Sequence, residues 1–194
     1  MDICRYFLSF AVFSFIGWVW ECVYYSIQQR KLVNSGFLST CFCPIYGIGA
    51  LLDLIVLGKV NNTAALFLAG ILLTGTLEYF VSWLMERLFH YRWWDYTGWP
   101  LNINGRICIF SVGLFGLGTV ALIKFIAPFT FGMIGSLQPQ NVYILSAVIA
   151  SVMLADAVNS VIHLDTDKLW YVEKQVEFIE NNAIMNKIKN TFKR

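Results

Sequence analysis

The chain has 194 residues, 58% of them hydrophobic and 13% charged. An ordinary soluble domain carries roughly 25% charged residues, so about half the charge needed to clothe a water-exposed surface is missing, and lipid is the solvent this composition suits. The formal net charge of +2, with no basic stripe interleaved with aromatics, argues against a nucleic-acid partner.

A bilayer core of about 30 Å needs roughly 20 helical residues at about 1.5 Å each. Five stretches approach or reach that length: residues 6–27, 43–60, 64–88, 107–125 and 142–163. The first exceeds the apolar core of a secretory signal and is followed by no small-x-small cleavage pattern, so it is expected to remain as a span. The second is rich in glycine and carries Asp53. Between the fourth and fifth, residues 126–140 hold Pro128 and Pro139 among glycines and serines. That stretch reads as too broken for a span and predicts an interfacial or re-entrant segment. The fold class is therefore all-α: a polytopic membrane helix bundle of about five transmembrane helices, with a transmembrane domain over 1–164 and a tail over 165–194.

Basic residues set the orientation. With the N-terminus outside, eleven lie inside (Arg30, Lys31, Arg87, Arg92, Arg106 and six in the tail), against Arg5, Lys59 and Lys124 outside. The expected topology is N-out/C-in in the plasma membrane. Trp93, Trp94, Tyr96 and Trp99 sit in the loop after the third span, where interface-dwelling rings belong. Ala147, Ser151 and Ala155 form a small-residue stripe on the last span, read as helix packing. The tail predicts a cytoplasmic amphipathic helix, capped by Asp165 or Thr166 and carrying Leu169, Val172, Val176 and Ile179 on one stripe. Its basic end suits an anionic leaflet or a partner subunit.

Charged groups within spans cost about 2.5 to 3.5 kcal/mol each at the helix centre and therefore mark function. The acids here are Glu21, Asp53, Glu78, Glu86 and Asp156. Glu21, Glu78 and Asp156 fall in the cytoplasmic third of their spans on this topology. Glu86 lies at the boundary, within reach of water, Arg87 or His90. Asp53 lies deeper, as a neutral hydrogen-bonded acid or a coupling-ion site. The inner loops add Tyr46, Asp95, Asn102, Asn104 and Arg106 at the level of the three acids. Two readings stand: a polar pocket opening to the cytoplasm, built from Glu21, Tyr46, Glu78, Asp95, Asn102, Asn104, Arg106 and Asp156, or a structural network in which Glu21, Glu78 and Arg106 fix helix register.

Motifs for catalysis are missing from the sequence. His90 and His163 are far apart and form no H-E-x-x-H helix, and no G-x-S-x-G elbow occurs. The five cysteines are scattered, with Cys41 and Cys43 the closest pair, and suit packing better than metal. No cofactor or metal is expected, and no catalytic residue is assigned. No G-x-x-x-x-G-K-[ST] phosphate loop is present, so ATP-driven work would need a separate subunit.

Three motifs resemble one bacterial family. Gly36-Phe37-Leu38 with Pro44-Ile45-Tyr46-Gly47 is the first and Leu77-Glu78-Tyr79 the second. Trp94-Asp95-Tyr96 with Leu101-Asn102-Ile103-Asn104-Gly105-Arg106-Ile107 is the third and most specific. In order and spacing they are similar to the family called putative ABC-transporter type IV, over roughly residues 10–120. Thr97 stands where serine is expected, and Ser39-Thr40-Cys41 where a Gly-Pro is more usual. The resemblance implies a permease-like membrane subunit acting with a separate ATPase, and brings no substrate or catalytic residue. Five spans form a thin pathway, so that reading needs at least a dimer, with a homo-oligomer as one form. The residues themselves leave two other readings open: a membrane protein or enzyme that binds a lipid head group through the polar pocket, and a non-catalytic scaffold or sensor.

Overall fold

The structure, a computed structural model, describes residues 3–162. The predicted tail helix and His163 lie outside the described residues. Six α-helices and one π turn make up the described chain: α1 Ile3–Gln29, α2 Pro44–Leu57, α3 Thr63–Phe89, α4 Ile109–Ala121, the π turn Leu122–Ile126, α5 Ala127–Gly135 and α6 Pro139–Ile162. Four helical stretches are long and apolar enough to cross a membrane: α1, α3, α6 and the run Ile109–Gly135. Helix α2 is apolar but has only 14 residues, about 21 Å, too short to cross by itself, so the expected count of about five crossings requires the chain leading into α2 to share that passage.

Local chemistry sets several of the boundaries. Pro44 occupies the first turn of α2 after an extended Cys43, where its missing N–H is no loss. Asn62 opens α3 by accepting from the Ala65 amide at 3.0 Å, a side-chain cap on an otherwise free donor. His90 closes α3 with φ +55°.

The expected broken segment at 126–140 is instead mostly helical. Pro128 cannot donate to the carbonyl four residues back, and its ring crowds that carbonyl in a regular helix. The chain answers with the π turn, in which the Ala127 amide reaches back to Leu122, and α5 then continues past Pro128. Only the short turn between Gly135 and Pro139 interrupts the helices.

By contacts, the described chain divides into two compact units, residues 3–59 with 121–162, and residues 60–120. In the first unit α2 runs antiparallel to α1: Tyr46 meets Gly17, and Gly47 meets Ser14 and Phe10. Its apolar core joins Phe13, Ala50, Leu122 and Ala127, while Leu8, Ile134 and Val142 form a second cluster. Arg5 closes the end of α5 by donating to the carbonyls of Ile134 (3.0 Å), Gly135 (3.3 Å) and Leu137 (3.4 Å). A cation there answers the free carbonyls of a helix C-terminus.

In the second unit α3 and α4 are antiparallel and close. A β-carbon at Gly70 would lie 2.6 Å from the Thr119 hydroxyl, one at Gly116 2.7 Å from Ile71, and one at Gly75 3.0 Å from Val112. On α6 the buried line is Val142, Ser146, Met153, Asp156 and Ser160. The expected packing stripe of Ala147, Ser151 and Ala155 is exposed instead, offset from that line and outside the contacts made by the described chain.

Candidate functional site

The named polar residues fall into two groups, one in each unit. Glu78, Asp95, Asn102, Asn104 and Arg106 belong to the second unit, and Glu21, Tyr46 and Asp156 to the first.

In the second unit, the loop 90–108 folds back along α3. Glu78 lies eleven residues before Phe89, about 16 Å up the helix from its end. Its carboxylate nevertheless accepts from the Tyr96 hydroxyl of that loop at 3.1 Å and from Ser111 at 3.1 Å. Asn104 donates to the Tyr79 hydroxyl at 2.8 Å. Arg106 donates to Ser82 at 3.2 Å, pairs with Glu86, and places its guanidinium 5.7 Å from the centre of the Tyr79 ring. Glu86 also pairs with Arg92 at 3.1 Å. The loop is thus joined to α3 at Glu78, Ser82 and Glu86, four residues apart along one face, and at Tyr79, three residues before Ser82.

The loop is braced internally as well. Trp94 donates to the Arg106 carbonyl at 3.0 Å, and the Tyr96 amide to the Gly105 carbonyl at 2.7 Å. Asp95 closes a turn by accepting from the Thr97 amide (2.8 Å) and hydroxyl (2.6 Å). Asn102 donates to the Trp99 carbonyl at 2.9 Å and accepts from the Gly105 amide at 3.1 Å. Gly105 takes φ +69° with Asp95 and Thr97 against it, so a side chain there would face both strain and collision. Satisfied backbone of this kind is what irregular chain requires beside a membrane span.

The arrangement differs from the network in which Arg106 serves Glu21 and Glu78. Arg106 takes Glu86 as its counter-ion, and no ion pair involving Glu78 occurs among the described residues. Glu86 pairs with Arg92 and Arg106 rather than with Arg87 or His90. The Arg87 guanidinium lies over the Trp83 ring, 5.8 Å from its centre. For Arg87 the reason is angular, since adjacent positions point away from each other on a helix. His90 stands past the last turn in the left-handed conformation, and the loop that returns along the helix reaches Glu86 instead.

In the first unit the loop 30–43 returns along α1 in the same manner. Trp18 donates to Asn34 at 2.7 Å, and Ser35 donates to Glu21 at 2.7 Å. Tyr46 and Cys43 stand beside the same carboxylate. The Cys43 amide reaches the Ser14 carbonyl at 3.0 Å, so α2 begins beside the middle of α1. Asp156 on α6 fastens the loop from the other side. It accepts from the Ser39 amide (3.2 Å), the Thr40 amide (2.8 Å), the Thr40 hydroxyl (2.6 Å) and Ser160 (3.4 Å). Three of these four bonds therefore dock the loop, and the fourth lies within α6. Asp53 is buried within α2, at 2% exposure.

Sequence reasoning passed over Ser82 and Ser111, and it placed Ser35, Cys43 and Arg92 in the inner loops without giving them a site role. Small hydroxyls and thiols in apolar stretches look like packing, and only a folded-back loop turns them into partners. Among the described residues, no group of three His, Cys, Asp or Glu residues is placed to hold a metal ion.

Long apolar helices whose surfaces are studded with exposed Leu, Ile, Val and Phe, together with internally satisfied loops, define a multi-pass helical membrane protein. The chain belongs to the family described as Putative ABC-transporter type IV, whose model matches residues 8–161. No curated protein and no solved structure matches it significantly. The protein is accordingly a transport-related membrane protein of that family. The motifs that carried the resemblance are the ones that fasten the returning loop of the second unit, Glu78 to Tyr96 and Tyr79 to Asn104, and that set Tyr46 beside Glu21 in the first.

Proposed function

We propose that the chain is the membrane subunit of a transport system in the plasma membrane, inserted N-out/C-in and driven by a separate ATPase. The observation that carries this is membership of the ABC-transporter type IV family over residues 8–161, joined to a sequence without a phosphate loop of its own. The excess of basic residues on the loops after α1 and α3 supports the orientation.

An ATPase can move a membrane helix only through an element firmly attached to it. The loop 90–108 meets that requirement, tied to α3 through Tyr96, Asn104 and Arg106. Its place on the cytoplasmic side makes it the element to receive the ATPase, and the transport pathway is completed by a second copy of the chain. A second reading, a lipid head-group site built on Arg106, requires Glu86 to release that cation, and the transport reading requires no such step. A scaffold role would leave the acids free to become amides without effect.

Native mass spectrometry of the protein purified gently from its own membranes tests the proposal. A stoichiometric nucleotide-binding subunit, lost on Arg106→Ala, is the expected result. A lone protein carrying one bound lipid per chain, with that lipid lost on the same substitution, would overturn it.

A further inference from the structure

The two units share a plan that goes beyond the transport reading and does not depend on it. Each begins with a 27-residue helix, α1 or α3. Each carries a glutamate in the second half of that helix, Glu21 in α1 and Glu78 in α3, where Glu86 follows as a second. Each follows the long helix with a loop that runs back beside it and sets a hydroxyl on the glutamate, Ser35 at 2.7 Å or Tyr96 at 3.1 Å. A buried cysteine then precedes an apolar helical segment: Cys43, 5% exposed, before the 14 residues of α2, and Cys108, 2% exposed, before the 13 residues of α4, which continue into the π turn and α5. Three residues beyond each cysteine stands a second hydroxyl beside the same glutamate, Tyr46 near Glu21 and Ser111 bonded to Glu78 at 3.1 Å. A glycine one turn before each glutamate, Gly17 or Gly75, receives the first turn of that segment, through Tyr46 or Val112.

The chemistry common to the two explains why the parts travel together. A helix that starts beside the middle of another helix, away from its ends, brings free amides and the positive end of its dipole into an apolar setting. A carboxylate on the neighbouring long helix is the natural compensating charge. In the second unit it acts through Ser111, whose hydroxyl accepts from the Cys108 amide at 3.1 Å and donates to Glu78 at 3.1 Å. In the first, Ser35 donates to Glu21, Tyr46 and Cys43 stand beside the same carboxylate, and the Cys43 amide is taken by the Ser14 carbonyl. Internal repeats are a recurrent way of building transporters.

We infer that residues 3–57 and 63–121 are two copies of one module, long helix, returning loop and apolar helical segment, and that Glu21 and Glu78 are equivalent positioning residues that hold the first turn of α2 and of α4. The motif Trp20-Glu21-Cys22 then corresponds to Leu77-Glu78-Tyr79, and Cys43-Pro44-Ile45-Tyr46 to Cys108-Ile109-Phe110-Ser111. The Arg92–Glu86–Arg106 cluster is an addition particular to the second copy.

The two buried cysteines report on the two first turns separately. The full chain, purified in detergent, is treated with N-ethylmaleimide, and the labelling rate of each cysteine is followed by peptide mass spectrometry. Glu21→Ala is expected to speed labelling of Cys43 by about tenfold, the effect of one lost bond to a charged group, and to leave Cys108 within about twofold. Glu78→Ala is expected to do the reverse. Glu21→Gln and Glu78→Gln, which keep one acceptor oxygen, serve if an alanine variant fails to fold and should give the same crossed pattern at several-fold. The inference is overturned if either glutamate leaves its own cysteine unchanged, or if one substitution opens both cysteines equally. Labelling reads neither nucleotide nor partner, so its outcome is separate from that of the transport proposal.

Discussion

Asp156 offers the sharpest test of how the first returning loop is held. The residue is 8% exposed on α6 and takes the Ser39 amide, the Thr40 amide and the Thr40 hydroxyl at 3.2, 2.8 and 2.6 Å. A hydrogen bond to a charged group contributes roughly 1.5 to 3 kcal/mol. The three share one carboxylate and do not add, and water can reach part of the loop once it lifts. A combined contribution of about 3 kcal/mol follows, which is on the order of a hundredfold in the local opening equilibrium. Asp156→Ala should therefore raise hydrogen–deuterium exchange at the Ser39 and Thr40 amides by about that factor, with the middle of α1 unchanged. Asp156→Asn should be nearly as damaging, because its NH2 group would face an amide donor. Unchanged exchange in Asp156→Ala would refute the docking role. Wild-type exchange in Asp156→Asn would refute the argument from charge and acceptor count.

Further outcomes follow from the helix contacts. Gly70→Val forces a side chain into Thr119, which is 2% exposed and has nowhere to move, and should cost about 1 to 3 kcal/mol, seen as a lower Tm. Gly113→Ala is the control, since nothing lies within 4 Å of a β-carbon there, and it should be neutral or slightly stabilising. Arg5→Gln removes a cation from three carbonyls at the end of α5 and should destabilise by about 2 kcal/mol, with Arg5→Lys recovering only part because one ammonium cannot span all three. Asn62→Ala deletes the cap of α3 and should cost about 1 kcal/mol, visible as faster amide exchange at Ala65.

The helices were legible because membrane spans are written in length and hydropathy. Residues 64–88 on the sequence became Thr63–Phe89, and 6–27 became Ile3–Gln29. Pro128 misled for a physical reason: a proline ordinarily ends or kinks a helix, but the preceding π turn accommodates it, and hydropathy carries no sign of a π turn. The acids at Glu21, Glu78 and Asp156 stood out because charge in an apolar run is conspicuous. Their partners did not, because a loop that doubles back looks the same in sequence as one that projects into water. Arg106 illustrates the limit. Its neighbours along the chain gave no hint of Glu86, twenty residues earlier, and only the return of loop 90–108 along α3 brings the two together.

The π turn has an effect on the helix that carries it. One extra residue per turn advances the helical phase by about 100° relative to a regular α-helix. The buried positions show that offset, with Gly116, Thr119 and Leu122 at three-residue steps, then a jump to Ala127, then Thr130 and Ile134. Ala127 stands one π turn beyond Leu122, so the buried line continues through the turn, where a regular helix would carry it about 140° away. Deleting one residue from Leu122–Ile126 would leave the span long enough to cross the bilayer while rotating every later contact of α5 out of alignment.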